Sequence, residues 1–167
     1  VACKGFDANV RNIVKALFRK GDPARVGKPA PTSMVRKGGG WFGGAPCPDF
    51  PRDGDVLTEQ DMEAYAAALT KNGFFGPDSW YMNHKANGRY SKQARASKLS
   101  MPVLFLHGAY DTTCETVTSR FAEPMRGDCR DLTEVVVKSG HWMAQEKPVA
   151  VNVALARWLA AKLPDYW

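Results

Sequence analysis

The pattern of apolar and polar positions changes character near residue 100. Before it, apolar residues recur at helical spacing. In "FDANVRNIVKALFRKGD", Val10, Ile13, Val14, Leu17 and Phe18 fall at i, i+3, i+4, i+7 and i+8. This predicts an amphipathic helix with Asp7 as N-cap and Gly21 as stop. "LTEQDMEAYAAALTKNG" predicts a second helix, with Thr58 as N-cap, acids in the first turn, Met62, Tyr65 and Leu69 on one face, and Gly73 beyond the end. In "FFGPDSWYMNHKANGRY", Pro77 and Asp78 predict the start of a further helix carrying Trp80 and Tyr81 on its first turns. Residues 21–55 are crowded with Gly and Pro and read as one long loop. Loops of that length inside a domain are uncommon and often functional.

After Leu99 the runs become short and continuous. "VLFLHG", bounded by Pro102 and Gly108, predicts a fully buried strand, and "LTEVVVK" predicts a second. Between them, residues 114–122 predict a helix with Val117 and Phe121 inward. "KPVAVNVALARWLAAKL" closes the chain with a helix opened by Pro148 and striped by Val151, Leu155, Trp158 and Leu159. The class is α/β: a helical segment over 1–99, with its Gly/Pro-rich loop at 21–55, and a β-α-β-α segment over 100–167. Two strands buried on both faces do not make a stable sheet alone, and nothing in residues 1–100 reads as a third. The sheet is therefore expected to be incomplete. Its neighbours are expected from sequence outside this chain, on a companion chain or removed from this one, because open apolar edges invite aggregation.

Composition narrows the class without naming a function. With 44% apolar and 11% aromatic residues in 167, the chain has the makings of a packed core rather than disorder. No apolar run approaches the roughly 20 residues a bilayer helix needs, so no membrane anchor is expected. Val1-Ala2-Cys3-Lys4 has no signal core and Leu163 to Trp167 no retention tag. Four cysteines at 3, 47, 114 and 129 lack zinc or redox spacing and read as reduced thiols, so a cytoplasmic location is the expectation. The net charge of +6 is uneven: 16 Lys/Arg against 9 Asp/Glu in residues 1–100, and 7 against 8 thereafter. Lys85, Arg89 and Lys92 recur at helical spacing in an acid-free run. That stripe fits a phosphate backbone, but Tyr90 is its one aromatic platform, and a solvated face is the plainer reading. Nucleic acid is not expected as a partner.

Chemistry is expected where the two strands end, because open α/β sheets gather reacting groups beyond the carboxyl ends of their strands. Asp111 follows the first strand. His141, in "SGHWMAQEKP", follows the second. A carboxylate that accepts the Nδ1 proton fixes the tautomer and stabilises imidazolium, leaving Nε2 as a general base. The bland alternative makes Asp111 the cap of the next helix and His141 a turn residue. Their equivalent positions after successive strands favour the chemical reading.

The segment from about Glu59 to Trp158 resembles the second half of a soluble-type epoxide hydrolase of the α/β-hydrolase fold. "FGPDSWYMN" is similar to that family's lid motif ending in Trp-Tyr, "MPVLFLHGAYD" to the strand leading to the triad acid, and "SGHWMAQEKP" to the loop bearing the triad histidine. The order acid then histidine is the one such enzymes use. The resemblance implies the C-terminal part of an α/β-hydrolase sheet under a mostly helical lid. It makes Asp111 the orienting acid, His141 the base that activates water, and Tyr81 a lid tyrosine that assists opening of the ring. Trp142, Thr113 and Cys114 are implied to touch a small-molecule epoxide. Neither a cofactor nor a metal is implied.

The departures are as specific as the matches. The family's nucleophilic aspartate, its His-Gly-x-Pro oxyanion loop and its other lid tyrosine have no counterpart in this chain. His107 in "HGAY" lacks the proline and reads as a strand terminus, while Tyr90 comes after the lid tyrosine rather than before it. "GGGWFG" at 38–43 matches G-x-G-x-x-G in form, but no strand precedes it and no helix pattern follows, so no nucleotide is assigned. Alone, histidine and acid without a nucleophile retain little of a triad's effect. The competing readings are another hydrolase of the same fold, such as a dehalogenase, and a non-catalytic module binding through the basic stripe.

Overall fold

A computed structural model describes residues 2–93 and 98–164 and divides the chain into two compact units. The first holds residues 1–18 and 31–96, the second 19–30 and 97–167. Residues 94–97 of the basic run and 165–167 of the C-terminus lie outside the described residues, as does the side chain of Cys3. Cys47, Cys114 and Cys129 are free thiols. Among the described residues, no helix is long and apolar enough to cross a membrane.

In the first unit, α1 (Ala2–Asp7) leads into α2 (Val10–Leu17), whose apolar stripe buries Val10, Ile13 and Val14 against α4 (Glu59–Asn72). The N-cap of α2 is Asn9, which accepts from the amide of Asn12, and not Asp7. The Asp7 carboxylate is engaged elsewhere, accepting from the amide of Phe74 at 2.9 Å beside the left-handed Gly73. The helix ends at Phe18, three residues before the expected Gly21. Thr58 caps α4 as expected. Its hydroxyl accepts from the Asp61 amide while the Asp61 carboxylate returns to the Thr58 amide, and Gly73, with φ 70°, ends the helix.

Residues 21–55 contain short helical turns at Pro23–Arg25, Pro31–Met34 (α3) and Trp41–Gly44. The next helix, α5, spans Phe75–Trp80, so it starts two residues before Pro77 and leaves Tyr81 at its C-cap rather than in its first turns. The last helix of this unit, α6 (His84–Gln93), buries nothing and carries Lys85, Arg89 and Lys92.

The second unit is built on two parallel strands, β1 (Leu99–Gly108) and β2 (Cys129–Val137), in register from Pro102↔Asp131 to Gly108↔Val137. The connection runs through α7 (Glu123–Asp128), and α8 (Met143–Glu146) and α9 (Pro148–Lys162) follow β2. The described sheet has two strands, so it is incomplete as expected. For that reason Val103 to Leu106 are half-buried rather than fully buried. Helix α9 packs on both strands. Its stripe centres on buried Ala154 with Val151 and Trp158 half-buried, and Leu155, expected inside, is exposed.

Residues 114–119 do not form the helix expected of them. The Glu115 carboxylate accepts from the amides of Val117, Thr118 and Ser119, which holds them in a loop before a 3-10 turn at Arg120–Ala122. Val117 and Phe121 are exposed in consequence.

Three glycines let the strand-end loops close on one another. A Cβ on Gly140 would lie 2.6 Å from the Gly21 Cα, and one on Gly108 would lie 2.8 Å from the Gly140 carbonyl oxygen. The Glu146 carboxylate then gathers the amides of Gly21 and Gly140 at 2.9 and 2.8 Å. Gly140→Ala should therefore destabilise the chain by about 1–3 kcal/mol, the usual cost of overpacking. A lowered melting temperature would show it, against Gly127→Ala, where nothing lies within 4 Å, as a control that loses nothing.

Candidate active site

Because β1 and β2 run parallel, both leave the sheet at the same edge, and their loops are stitched as they do. The Ala109 amide donates to the Val137 carbonyl at 2.8 Å and the Tyr110 amide to the Ser139 carbonyl at 2.9 Å. Asp111 closes a turn by donating its amide to the Gly108 carbonyl. Its carboxylate then divides its two oxygens. Oδ1 accepts from the amides of Thr113 and Cys114 at 2.8 and 2.9 Å, and Oδ2 meets Nδ1 of His141 at 3.0 Å. The bland reading of Asp111 as a local cap and the chemical reading as a partner of histidine thus hold together, one on each oxygen.

The pair is asymmetric in exposure. The Asp111 side chain is 11% exposed and that of His141 44%. With Nδ1 turned to the carboxylate, Nε2 is left for a proton in transit. Trp142 stands edge-on to the imidazole, ring centroids 5.3 Å apart, and begins α8.

Burial pushes the Asp111 carboxyl upward. The hydrogen bonds from His141 and the Cys114 and Thr113 amides, with the attraction of the imidazole, outweigh it and hold the group below the usual range. The hydrogen bond to Asp111 raises His141, burial opposes it, and the carboxylate's charge adds to the rise. The shifts agree in sense, as a pair that stabilises imidazolium requires.

Asp111, Thr113, Cys114, His141 and Trp142 are thus brought together in the second unit. Tyr81 belongs to the first, where it is 68% exposed between the still more exposed Trp80 and Met82. An open cleft of about 400 Å³ in that unit is lined by Gly76, Ser79, Trp80, Met82, Asn83 and Asn87 and does not include the Asp111–His141 pair.

One group escaped the sequence reading. His107 is not merely a strand terminus but a buried residue, 2% exposed, with Nδ1 against the Thr116 hydroxyl and Nε2 against Glu134, both at 2.9 Å. Arg126 completes the cluster by pairing with Glu134. Period-two alternation puts Glu134 and Val136 on one face of β2, and Val136 is the register partner of His107. Once the register is known, the contact follows.

The raised His141 can be titrated directly. Its imidazole should show by NMR a midpoint above the ordinary value of about 6.5, and Asp111→Asn should bring it down. The sign for stability follows. A histidine raised on folding stabilises the chain below its unfolded value, and that contribution is lost as pH rises through the folded one. The depressed carboxyl contributes above its unfolded value and is lost as pH falls through the folded one. Asp111→Asn should remove both ends of this window in unfolding curves taken across pH.

Comparison with known proteins gives this geometry a context. No protein-family profile matches the chain. The protein of Rattus norvegicus named bifunctional epoxide hydrolase 2 is 29% identical over 170 residues, 99% of this chain and 28% of that relative. Epoxide hydrolase A of Mycobacterium tuberculosis is 31% identical over 104 residues, 62% of this chain and 32% of the relative. Among solved structures, epoxide hydrolase A from Mycobacterium thermoresistibile aligns with a TM-score of 0.69 at 27% identity, over 95% of this chain and 48% of that one. An epoxide hydrolase variant of Vigna radiata aligns with a TM-score of 0.65 at 22% identity, over 93% of this chain and 48% of that one, and supports the fold. The chain spans less than a third of the length of these curated relatives and about half of the solved structures. By sequence over nearly its whole length, and by fold, the chain is a relative of the α/β-hydrolase-fold epoxide hydrolases, and it covers part of their length.

Proposed function

We propose that this chain supplies the lid and the closing, C-terminal strands of an epoxide hydrolase, and that His141 activates the water of its second chemical step. The observation that carries the reading is the 3.0 Å contact between Asp111 Oδ2 and His141 Nδ1 beyond the ends of two parallel strands. The kinship to epoxide hydrolases supports it.

In the proposed reaction an aspartate from sequence outside this chain attacks one epoxide carbon. The carbon–oxygen bond breaks, the Tyr81 hydroxyl gives its proton to the departing oxygen, and an alkyl–enzyme ester forms. His141 Nε2 then takes a proton from water as the water oxygen adds to the ester carbonyl. Collapse of the adduct expels the diol's second oxygen, which takes the imidazolium's proton, and leaves a carboxylic acid whose proton returns through water to the Tyr81 phenolate, so that both side chains are restored. Asp111 stabilises that imidazolium throughout. Trp142, Thr113 and Cys114 flank the base and are assigned to the substrate pocket. Every proton and electron pair is accounted for by side chains and water, so the scheme requires no cofactor. The remainder of the enzyme, as a companion chain or a longer polypeptide, completes the triad, and the free thiols fit a cytoplasmic home.

The test uses the chain together with the polypeptide that supplies the aspartate. His141→Gln should still open the epoxide but stall there, so intact mass should rise by the mass of one epoxide per site. Turnover by that variant at the parental rate would sink the proposal, and so would epoxide hydrolysis by the chain with no other polypeptide present. Tyr81→Phe should slow ring opening by about tenfold or more, within the range of general acid catalysis. A halide needs no proton as it leaves. A Tyr81→Phe enzyme that keeps full epoxide turnover would therefore remove Tyr81 from the role of acid, and turnover of a haloalkane but not of an epoxide by the unaltered enzyme would favour a dehalogenase.

A further inference from the structure

Asp111, Cys114 and His141 each direct a donor atom, carboxylate oxygen, thiol sulfur or imidazole nitrogen, into one place, and these atoms all lie within 4.8 Å of one another. Two of the three are fixed already. Asp111 and His141 stand 3.0 Å apart, and the Cys114 amide is bonded to Asp111 Oδ1, which holds the cysteine's backbone beside the pair. The cysteine is exposed, so its side chain has room to rotate.

Zinc-type cations bind nitrogen and oxygen at about 2.0–2.2 Å and sulfur at about 2.3 Å, usually as tetrahedra, so neighbouring donors sit roughly 3.2–3.8 Å apart. The Asp111–His141 distance is close to such an edge. Movement of the Cys114 sulfur by about an ångström would complete three corners and leave the fourth to water or another ligand. A mixed oxygen, nitrogen and sulfur set suits a borderline-soft cation and is wrong for magnesium or calcium, which take oxygen.

We propose that Asp111, Cys114 and His141 form a binding site for a zinc-type divalent cation, and that filling it takes His141 out of service as a base. The second half rests on the function proposed above; the first does not. On binding, the Cys114 thiol gives its proton to solvent and the sulfur donates an electron pair to the metal. The His141 Nδ1 proton passes through solvent to Nε2, which occupies the lone pair the base would use, and the Nδ1 lone pair turns from Asp111 to the cation. The carboxylate and thiolate together offset the two positive charges. Burial and the nearby Asp111 charge push the thiol up when no metal is present, so the cation must displace its proton to bind. The metal is an inhibitor in this scheme and no part of the reaction.

The full chain is titrated with zinc by calorimetry and with cobalt(II) by absorption spectroscopy. One zinc per chain at micromolar concentration is expected, with a sulfur-to-cobalt charge-transfer band and no competition from magnesium. Cys114→Ser should abolish the band and weaken zinc at least tenfold, while Cys47→Ser and Cys129→Ser keep both. Retention of the His141–Asp111 titration in Cys114→Ser, read by NMR, shows that the variant is folded. No binding at micromolar zinc, or equal binding by Cys114→Ser, overturns the site. In the assembled enzyme, zinc should suppress epoxide turnover, a chelator should restore it, and Cys114→Ser should need at least tenfold more zinc for the same suppression. Zinc held through Cys114 while turnover continues undiminished would leave the site standing and overturn the role of His141.

Discussion

The meeting of Asp111 and His141 depends on the parallel register of β1 and β2. With Gly108 opposite Val137, the strands finish level, and two short loops start a strand spacing of about 4.8 Å apart. Asp111 comes three residues after the first end and His141 four after the second, so neither loop needs a long excursion to meet the other. Slip by one residue would turn the loops to opposite faces and separate the pair. Parallel pairing is the weaker kind, and the loops add their own restraint. Amides 109 and 110 bond across to carbonyls 137 and 139, and glycine backbones approach where a side chain would not fit. The small residues around the histidine serve this closure.

The same constraint shapes the electrostatics. A carboxylate free to rotate would hold histidine only part of the time and lose side-chain entropy whenever it did. Asp111 has lost that freedom already, because its first oxygen is held by the amides of its own loop. The second oxygen therefore faces His141 before any proton moves, which preorganises the site for imidazolium. The imidazole stays partly exposed, which the proposed role of a base that meets water requires. The neighbouring sulfur at Cys114 is a by-product of the same turn, since the amide that orients Asp111 also fixes where that cysteine stands.

Residues whose decisive bonds are local were legible in the sequence. Thr58 and Asp61 cap each other three residues apart, Gly73 takes the left-handed turn after α4, and Pro148 opens α9 where its missing amide has no function. Asp111 and His141 were legible for a different reason: strand ends can be read from apolar runs, and the chemistry of such sheets lies just beyond them. Most of what escaped depends on distant partners, and residues 114–119 are the local exception. Asp7 looked like a cap, but the amide it serves is Phe74, 67 positions on. Residues 114–119 have helical spacing, yet one glutamate, Glu115, accepts three successive amides and breaks the pattern. His107 joins Glu134 across the sheet, and no local rule links them.

The half-buried state of β1 bears on where the proposed nucleophile would come from. Among the described residues, the ten-residue β1 has a strand partner along one edge alone, and its other edge offers amides and carbonyls for pairing together with apolar residues suited to burial. A strand laid parallel along that edge would satisfy both needs at once. Its direction would be fixed by the sheet, and its C-terminal end would emerge at the edge where Asp111 and His141 already stand. An aspartate on the loop of such a strand, or of the strand beyond it, would face the pair across about 10–15 Å of strand spacings, a gap that strand-end loops bridge. The backbone need that makes two strands insufficient thus coincides with the chemical need that makes a histidine and an acid insufficient, and one added stretch of parallel sheet would answer both.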